Sequence, residues 1–236
     1  MLHTTNTASL KSVFDSIKLS DIPGIQKDIL RKPTNTRPAV RIVEKEGVRA
    51  IVKDFSPTGF LFRNTAGRFL IWREMKAYHL LDGTMGTPAL VKVVEGLALV
   101  IEEIPGRNLE KLERTMILPE KFFHDFKKLV YRFHKRGLAH CDLKRAPNTL
   151  IGNNSKPYVI DWGASISRGE FRFYPLNRIY RRFLLDDYNA IVKLKLRHVP
   201  DAVTAMEMAR YKYRSRSEKI VRAVRDRLRK VLKKVA

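Results

Sequence analysis

A single cysteine, Cys141, stands among 236 residues. An internal disulfide and a cysteine-based zinc cluster are thereby excluded, which points to a reducing compartment, the cytoplasm by default. No run approaches the roughly 18 apolar residues needed to span a bilayer. Met1 to Leu10 also lacks the basic region and apolar stretch of a secretory leader. Neither an integral membrane protein nor one secreted by that route is expected. Acidic residues are scarce too: 24 Asp and Glu face 47 Lys and Arg, a formal net charge of +23. Such a surplus calls for an anionic partner. Nucleic acid, anionic lipid, phosphorylated glycan and ATP all satisfy it, so charge alone does not choose among them. The hydrophobic fraction of 44% is enough for a proper core, and the length suits two tightly joined lobes.

Residues 1–36 are polar and mixed, punctuated by Pro23, Gly24 and Pro33, with one short amphipathic stretch from Leu10 to Ile17. They are taken as an N-terminal extension without readable chemistry. From Ala39 two alternating, β-rich runs, Val40 to Glu44 and Val48 to Phe55, flank Lys45-Glu-Gly47 and predict a hairpin. Helical spacing of Phe69, Leu70, Trp72, Met75, Tyr78 and Leu81 predicts a helix over 67–81. A second hairpin follows, Leu90 to Val94 and Leu97 to Ile101 around Glu95-Gly96, and Pro105-Gly106 marks a lobe boundary. Pro119 to Arg136 forms the next helix, stopped by Gly137. Short apolar segments at 138–140, 149–151 and 158–160 precede a helical remainder. The fold class is α+β: a small antiparallel β lobe with one helix over 37–104, a helical large lobe over 105–209, and a basic amphipathic helix over 210–236.

The chemistry concentrates in His140-Cys141-Asp142-Leu143-Lys144, then Asn148, then Asp161-Trp162-Gly163 after an apolar strand. This order resembles the catalytic loop and metal-binding triplet of the protein kinase superfamily. The resemblance implies ATP and Mg²⁺ as cofactors and a reduced, two-lobed kinase-like fold. It implies that Asp142 accepts the proton of the attacking hydroxyl and that Lys144 brings positive charge to the transferring phosphoryl group. Asp161 and Asn148 become the Mg²⁺ ligands, and His140 a packing and hydrogen-bonding residue. Asn148 lies one residue further from Asp142 than the family pattern places it, while its interval to Asp161 is the usual one. One inserted residue around Arg145 to Pro147 reconciles both.

Upstream, Lys53 in Ala50-Ile-Val-Lys53 matches the superfamily's strand lysine, and Glu74 in the following helix is its ion-pair partner. Both belong to the nucleotide site. Glu102 and Ile104, in Ile101-Glu-Glu-Ile104, would offer backbone groups to the adenine edge, with Val100 or Ile101 lining the pocket. No Gly-x-Gly-x-x-Gly precedes the Lys53 strand; Thr34 to Pro38 and Lys45-Glu-Gly47 are the nearest loops, so the cover over the phosphates is atypical. Cys141 replaces the arginine of His-Arg-Asp, which argues against control by an activation-loop phosphate. Between Gly163 and Asp186 there is no Ala-Pro-Glu, so the docking platform for extended peptides is missing. Asp186 or Asp187, opening an apolar helix, resembles the aspartate that braces the catalytic loop from behind.

The stretch from about Val40 to Pro200 is similar to the lipopolysaccharide kinase branch, bacterial enzymes that phosphorylate core heptose or Kdo sugars. RIO-type atypical Ser/Thr kinases are the close second. The similarity rests on Ile51 to Pro57, Arg73 to Tyr78, Leu97 to Gly106 and Val159 to Gly163. It implies an anionic acceptor such as a phosphorylated or lipid-linked glycan, or else a protein. Residues 210–236 carry twelve Lys or Arg against two acids, with apolar residues on one helical face. Such a helix suits peripheral contact with an anionic membrane at its inner face, or RNA phosphates, or packing on the large lobe. A binding protein with a vestigial kinase site is the third reading, against which the full set Lys53, Glu74, Asp142, Asn148 and Asp161 argues.

Overall fold

In the computed structural model, which describes residues 7–112 and 116–213, the first half of the chain builds a five-stranded antiparallel sheet. Its strands are β1 (Gln26–Arg31), β2 (Ala39–Lys45), β3 (Val48–Asp54), β4 (Leu90–Val94) and β5 (Ala98–Glu102), in the order β1-β2-β3-β5-β4. The β2–β3 hairpin closes through Glu46 and Gly47, both at positive φ (53° and 75°), the turn whose twist matches that of the strands it joins. Strand alternation then sorts the side chains. Ala50, Val52, Ala98 and Val100 fill one face, while Ile51, Leu99 and Ile101 turn to the other, toward the large lobe.

The first face is sealed by the segment read from the sequence as an extension. Helix α1 (Thr7–Phe14) and the chain after it lay Leu10, Phe14, Ile17 and Ile22 on Val43, Ala50, Val52 and Val100. Lys45 Nζ donates to the Val13 carbonyl, tying the helix to β2. Residues 26–31 add an edge strand to the sheet, so the small lobe starts well before residue 37. Gln-Lys-Asp-Ile-Leu-Arg carries no alternation because it is largely exposed and interrupted by two irregularities in its ladder. On the opposite face, a helical turn α2 (Phe60–Phe62) and a π-turn (Arg63–Gly67) lead into α3 (Arg68–Leu80), the helix expected over 67–81.

The large lobe opens with β6 (Gly106–Asn108) and α4 (Leu109–Leu112), followed by α5 (Glu120–Lys135). Helix α5 buries Phe122, Phe123, Phe126, Leu129, Val130 and Phe133 along one stripe and ends where Gly137 takes φ 79°. Two short strands, β7 (Leu138–Ala139) and β10 (Ile166–Ser167), pair with each other and frame the catalytic-loop sequence. Strands β8 (Thr149–Gly152) and β9 (Pro157–Val159) join β6 in a three-stranded sheet. Only glycine fits at 106, since a Cβ there would lie 2.4 Å from the Ile151 carbonyl oxygen.

Helix α6 (Leu176–His198) spans 23 residues and begins ten positions before Asp186. The expected helix start at Asp186 or Asp187 is thus corrected: both sit in mid-helix, because Leu176 to Leu185 contains no residue that stops a helix. Helix α7 (Ala205–Lys212) is capped by Thr204 and Glu207 and contains the first residues of the basic segment; 214–236 lie outside the described residues. Among the described residues no helix is long and apolar enough to cross a membrane.

Phe14 is fully buried. Phe14→Ala is expected to cost about 3–5 kcal/mol, as large aromatic truncations in packed cores do. In urea unfolding the midpoint should fall with little change in slope; an unmoved midpoint would show that α1 is not part of the small lobe's core.

Candidate active site

Lys53 stands on the cleft face of β3, two positions from Ile51, and pairs laterally with Val40 and Leu99. Its ammonium donates to Glu74 Oε2 at 2.5 Å and to Asp161 Oδ1 at 2.6 Å. Helix α3 supplies Glu74, which is buried and also accepts the Trp162 backbone N–H. Burial raises the Glu74 pKa and the Lys53 charge opposes that shift. For Lys53 itself, burial pulls the pKa down, but the two carboxylates outweigh it and drive the group above the usual lysine range. The neighbouring Lys53 charge outweighs burial at Asp161 and holds its pKa at about 2. One cation between two carboxylates leaves the cluster with a surplus negative charge that suits a divalent metal.

Asp161 adopts the left-handed conformation, φ 66° and ψ 70°, uncommon for a residue with a side chain. Its neighbours hold it there. Ile160 N–H donates to the Asn148 carbonyl at 3.0 Å. Trp162 is fully buried, donates from Nε1 to Thr87 Oγ1 at 2.9 Å, and meets Phe133 and His140 edge to face. Arg73 on α3 donates to the Ser165 carbonyl and, with Lys76, pairs with Glu170. The Asp-Trp-Gly segment and α3 are therefore joined at several points.

The loop that carries His140, Cys141 and Asp142 is held from below by Asp187. Its carboxylate accepts the backbone N–H of His140 at 2.8 Å and of Cys141 at 2.9 Å, with His134 Nε2 at 3.0 Å. Asp186 pairs instead with Arg182 at 2.9 Å, so Asp187 is the brace. Burial, with Asp187 adding to it, pushes the Cys141 thiol far above its usual range, which disfavours the thiolate that a nucleophile needs. Both ring nitrogens of His140 are engaged: Nδ1 faces the Asp142 N–H at 3.2 Å and Nε2 the Ile160 carbonyl at 3.0 Å. It orders the loop and has no nitrogen left to act as a base.

Asn148 Nδ2 donates to the Asp142 carbonyl at 3.1 Å and to its Oδ2 at 3.3 Å. The extra residue between them is absorbed by a 3₁₀ turn over Ala146–Asn148 that contains Pro147. Lys144 is exposed, and Arg145 Nη1 lies 3.4 Å from Asp142 Oδ2. With its amide nitrogen turned to Asp142, Asn148 keeps its Oδ1 for another partner. An ionised Asp161 and an amide oxygen form a hard-oxygen donor pair, which fits Mg²⁺ completed by phosphate and water. Among the described residues no three His, Cys, Asp or Glu side chains cluster as a self-sufficient metal cage.

At the connection between lobes, Glu102 N–H donates to the Ala89 carbonyl at 2.9 Å and its carboxylate accepts the Ala89 N–H at 3.0 Å. The Glu102 N–H and side chain are thereby committed to β4, which leaves its carbonyl and the Ile104 backbone for a base edge. Of the two pocket-lining candidates, Ile101 faces the large lobe and Val100 packs beneath α1. Glu102 and Ile104 also line a cavity of about 830 Å³ with Gly86, Leu129 and Tyr158. That space lies on the Ala89 side of the connection and includes none of Lys53, Glu74, Asp142 or Asp161, so it is not the cleft that they define.

Trp162, Arg145 and the role of Thr87 were not singled out from the sequence. Trp162 had a signal, an aromatic directly after Asp161; Thr87 had none.

The fold that carries these groups is protein-kinase-like. No protein-family model matches the chain, and no curated protein sequence does. In structure it is similar to the Rio2 kinase of Chaetomium thermophilum, solved as an ADP/Mg²⁺-phosphoaspartate complex, with a TM-score of 0.55 and 16% identity. The match covers 79% of this chain and 61% of that one, so the chain spans less than two thirds of the structure it resembles. At that identity the likeness is one of fold, and the roles of individual residues rest on the distances above.

Because the folded pKa of Asp161 lies below its ordinary value of 3.8, the unfolded chain binds that proton more tightly. The stabilisation is present above pH 3.8 and is lost as pH falls toward 2. Asp161→Asn should therefore lower the urea midpoint at pH 7, with the gap to wild type closing between pH 4 and about pH 2. A gap independent of pH would show that Asp161 is not held ionised by Lys53.

Proposed function

We propose that the chain is an ATP- and Mg²⁺-dependent phosphotransferase that moves the γ-phosphoryl group to a hydroxyl. The observation that carries this is the placement of Lys53 between Glu74 and Asp161, with Asn148 cross-bracing Asp142 on the facing loop. Mg·ATP, when bound, supplies the transferable phosphoryl group and the metal charge that stabilises it. Lys53, oriented by Glu74, meets the α- and β-phosphates. Asp161 and Asn148 hold the metal, and Asp142 orients the acceptor hydroxyl and takes up its proton. Arg145, paired with Asp142, joins Lys144 in offsetting charge on the transferring group. The Glu102 carbonyl and Ile104 backbone receive the base.

Two acceptors are supported by different observations. Similarity in fold to Rio2 kinase favours an atypical, RIO-like Ser/Thr kinase. The resemblance of Leu97 to Gly106 and Val159 to Gly163, with only twelve residues between Gly163 and the start of α6, favours a lipopolysaccharide core sugar. Contact of 210–236 with an anionic membrane or RNA at a cytoplasmic site is proposed from its sequence alone.

The test is Mg²⁺-dependent ATP turnover by wild type, Asp142→Ala and Asp161→Ala, with intact or delipidated lipopolysaccharide precursors and with protein acceptors. Loss of the proton acceptor should lower kcat by about 10²–10⁴-fold. Stimulation by the glycan identifies a sugar kinase, and acceptor-independent labelling of protein identifies the RIO-like reading. Hydroxylamine-sensitive label on the chain itself would be an acyl phosphate, as in the phosphoaspartate of the Rio2 complex. No binding of Mg·ATP would leave the vestigial site and end the phosphotransferase reading.

A further inference from the structure

The register of the sheet sets Arg31 in line with Lys53. Arg31 pairs with Val40 on β2, and Val40 pairs with Lys53 on β3. Residues directly opposite in antiparallel strands project to the same face. Arg31 therefore rises from the cleft face two strands away from Lys53, about 10 Å by strand spacing. An irregularity in the ladder produces this alignment. Ile29 faces Arg41, and uninterrupted pairing would set Leu30 against Val40; one extra residue in β1 puts Arg31 there instead. A bulge of this kind re-aims a side chain, and bulges gather beside functional sites for that reason.

The loop that Arg31 introduces, Lys32 to Pro38, has no glycine. Its backbone is poorly supplied with donors for phosphate. Pro33 and Pro38 have no N–H. Thr34 and Arg37 exchange theirs with each other's carbonyl, at 3.0 and 3.4 Å, and the tip is tied down by the Gly59 N–H on the Asn35 carbonyl at 3.1 Å. A glycine-rich loop binds phosphates through a row of backbone amides; here four of seven residues offer none. Side-chain cations stand where those amides are missing. Arg31 is exposed, anchored by Nε on the Pro38 carbonyl at 3.2 Å, and it feels, after its own desolvation, the Asp161 carboxylate, Arg37, Glu74 and Arg145. The register sets Arg31 on the face of the sheet that carries Lys53, and the charges of Asp161 and Glu74 reach it there.

We propose that Arg31 is the phosphate clamp of this nucleotide site: its guanidinium neutralises the polyphosphate tail in place of glycine-loop amides. The fork geometry of arginine suits paired phosphate oxygens. The inference rests on the phosphotransferase reading, and the experiment separates the two. Affinities of the full chain for ATP, ADP and AMP are measured by calorimetry in Mg²⁺ for wild type, Arg31→Ala and Arg31→Lys. Loss of a charge-assisted contact should weaken ATP binding about 10–100-fold, ADP less, and AMP within about twofold, with lysine restoring part of the loss. Equal weakening for all three nucleotides, or unchanged ATP affinity in Arg31→Ala, would overturn the clamp while leaving the enzyme reading intact. Failure of wild type itself to bind ATP would remove both.

Discussion

Lys53 is shared between two carboxylates that reach it from different parts of the chain, Glu74 from α3 and Asp161 from the segment after β9. Buried ion pairs of this kind contribute little net stability, because the desolvation of each charge offsets most of the attraction. What they fix is relative position. The ammonium sets how far α3 stands from β3 and where the Asp-Trp-Gly segment enters the cleft. Trp162 then follows from that placement, its N–H on Glu74 and its indole in the core between Thr87, Phe133 and His140. Remove the shared cation and two carboxylates with no counter-charge would face each other, leaving Arg73, Lys76 and the buried side chains of α3 to hold that helix in place.

Much of this arrangement could be read in the residue order, and the exceptions share a physical cause. The β2–β3 and β4–β5 hairpins, α3 and α5 were legible because each buries one face and so imprints its period on the sequence. Asp142, Asn148 and Asp161 were legible because they lie close together in the chain. β1 was not, since an exposed edge strand with two ladder irregularities has no face to imprint. The integration of α1 was hidden for a related reason: eight residues show that a helix is amphipathic but not what covers it. The start of α6 was placed ten residues late because its first turns are basic and half-exposed, so the apolar pattern becomes clear only near Tyr188. The pairing of Arg145 with Asp142 depends on the turn made by Ala146–Asn148, which neighbouring side chains do not announce.

The positive charge of the chain is distributed with more order than its total suggests. Basic residues of α3 are spent on structure, Arg73 on the Ser165 carbonyl and Glu170, Lys76 on Glu170. Around the cleft, Arg145 pairs with Asp142, and Arg31 lies within electrostatic reach of Asp161 and Glu74. Positive charge there favours the ionised form of Asp161, which Lys53 and, more weakly, Arg31 hold below its usual range.

The brace from Asp187 also governs where this chain tolerates changes of length. Its carboxylate grips two consecutive backbone amides from the middle of a long helix, so its direction depends on the helical phase counted from Leu176. One residue inserted between Leu176 and Asp187 would turn that carboxylate by about 100° and take it off the loop. The same insertion between Arg172 and Pro175, beyond the ion pairs of Glu170, costs little more than loop entropy. Natural variation in length should therefore collect in that short connection and be absent from the first three turns of α6, a pattern of insertion and deletion set by the geometry of a single carboxylate.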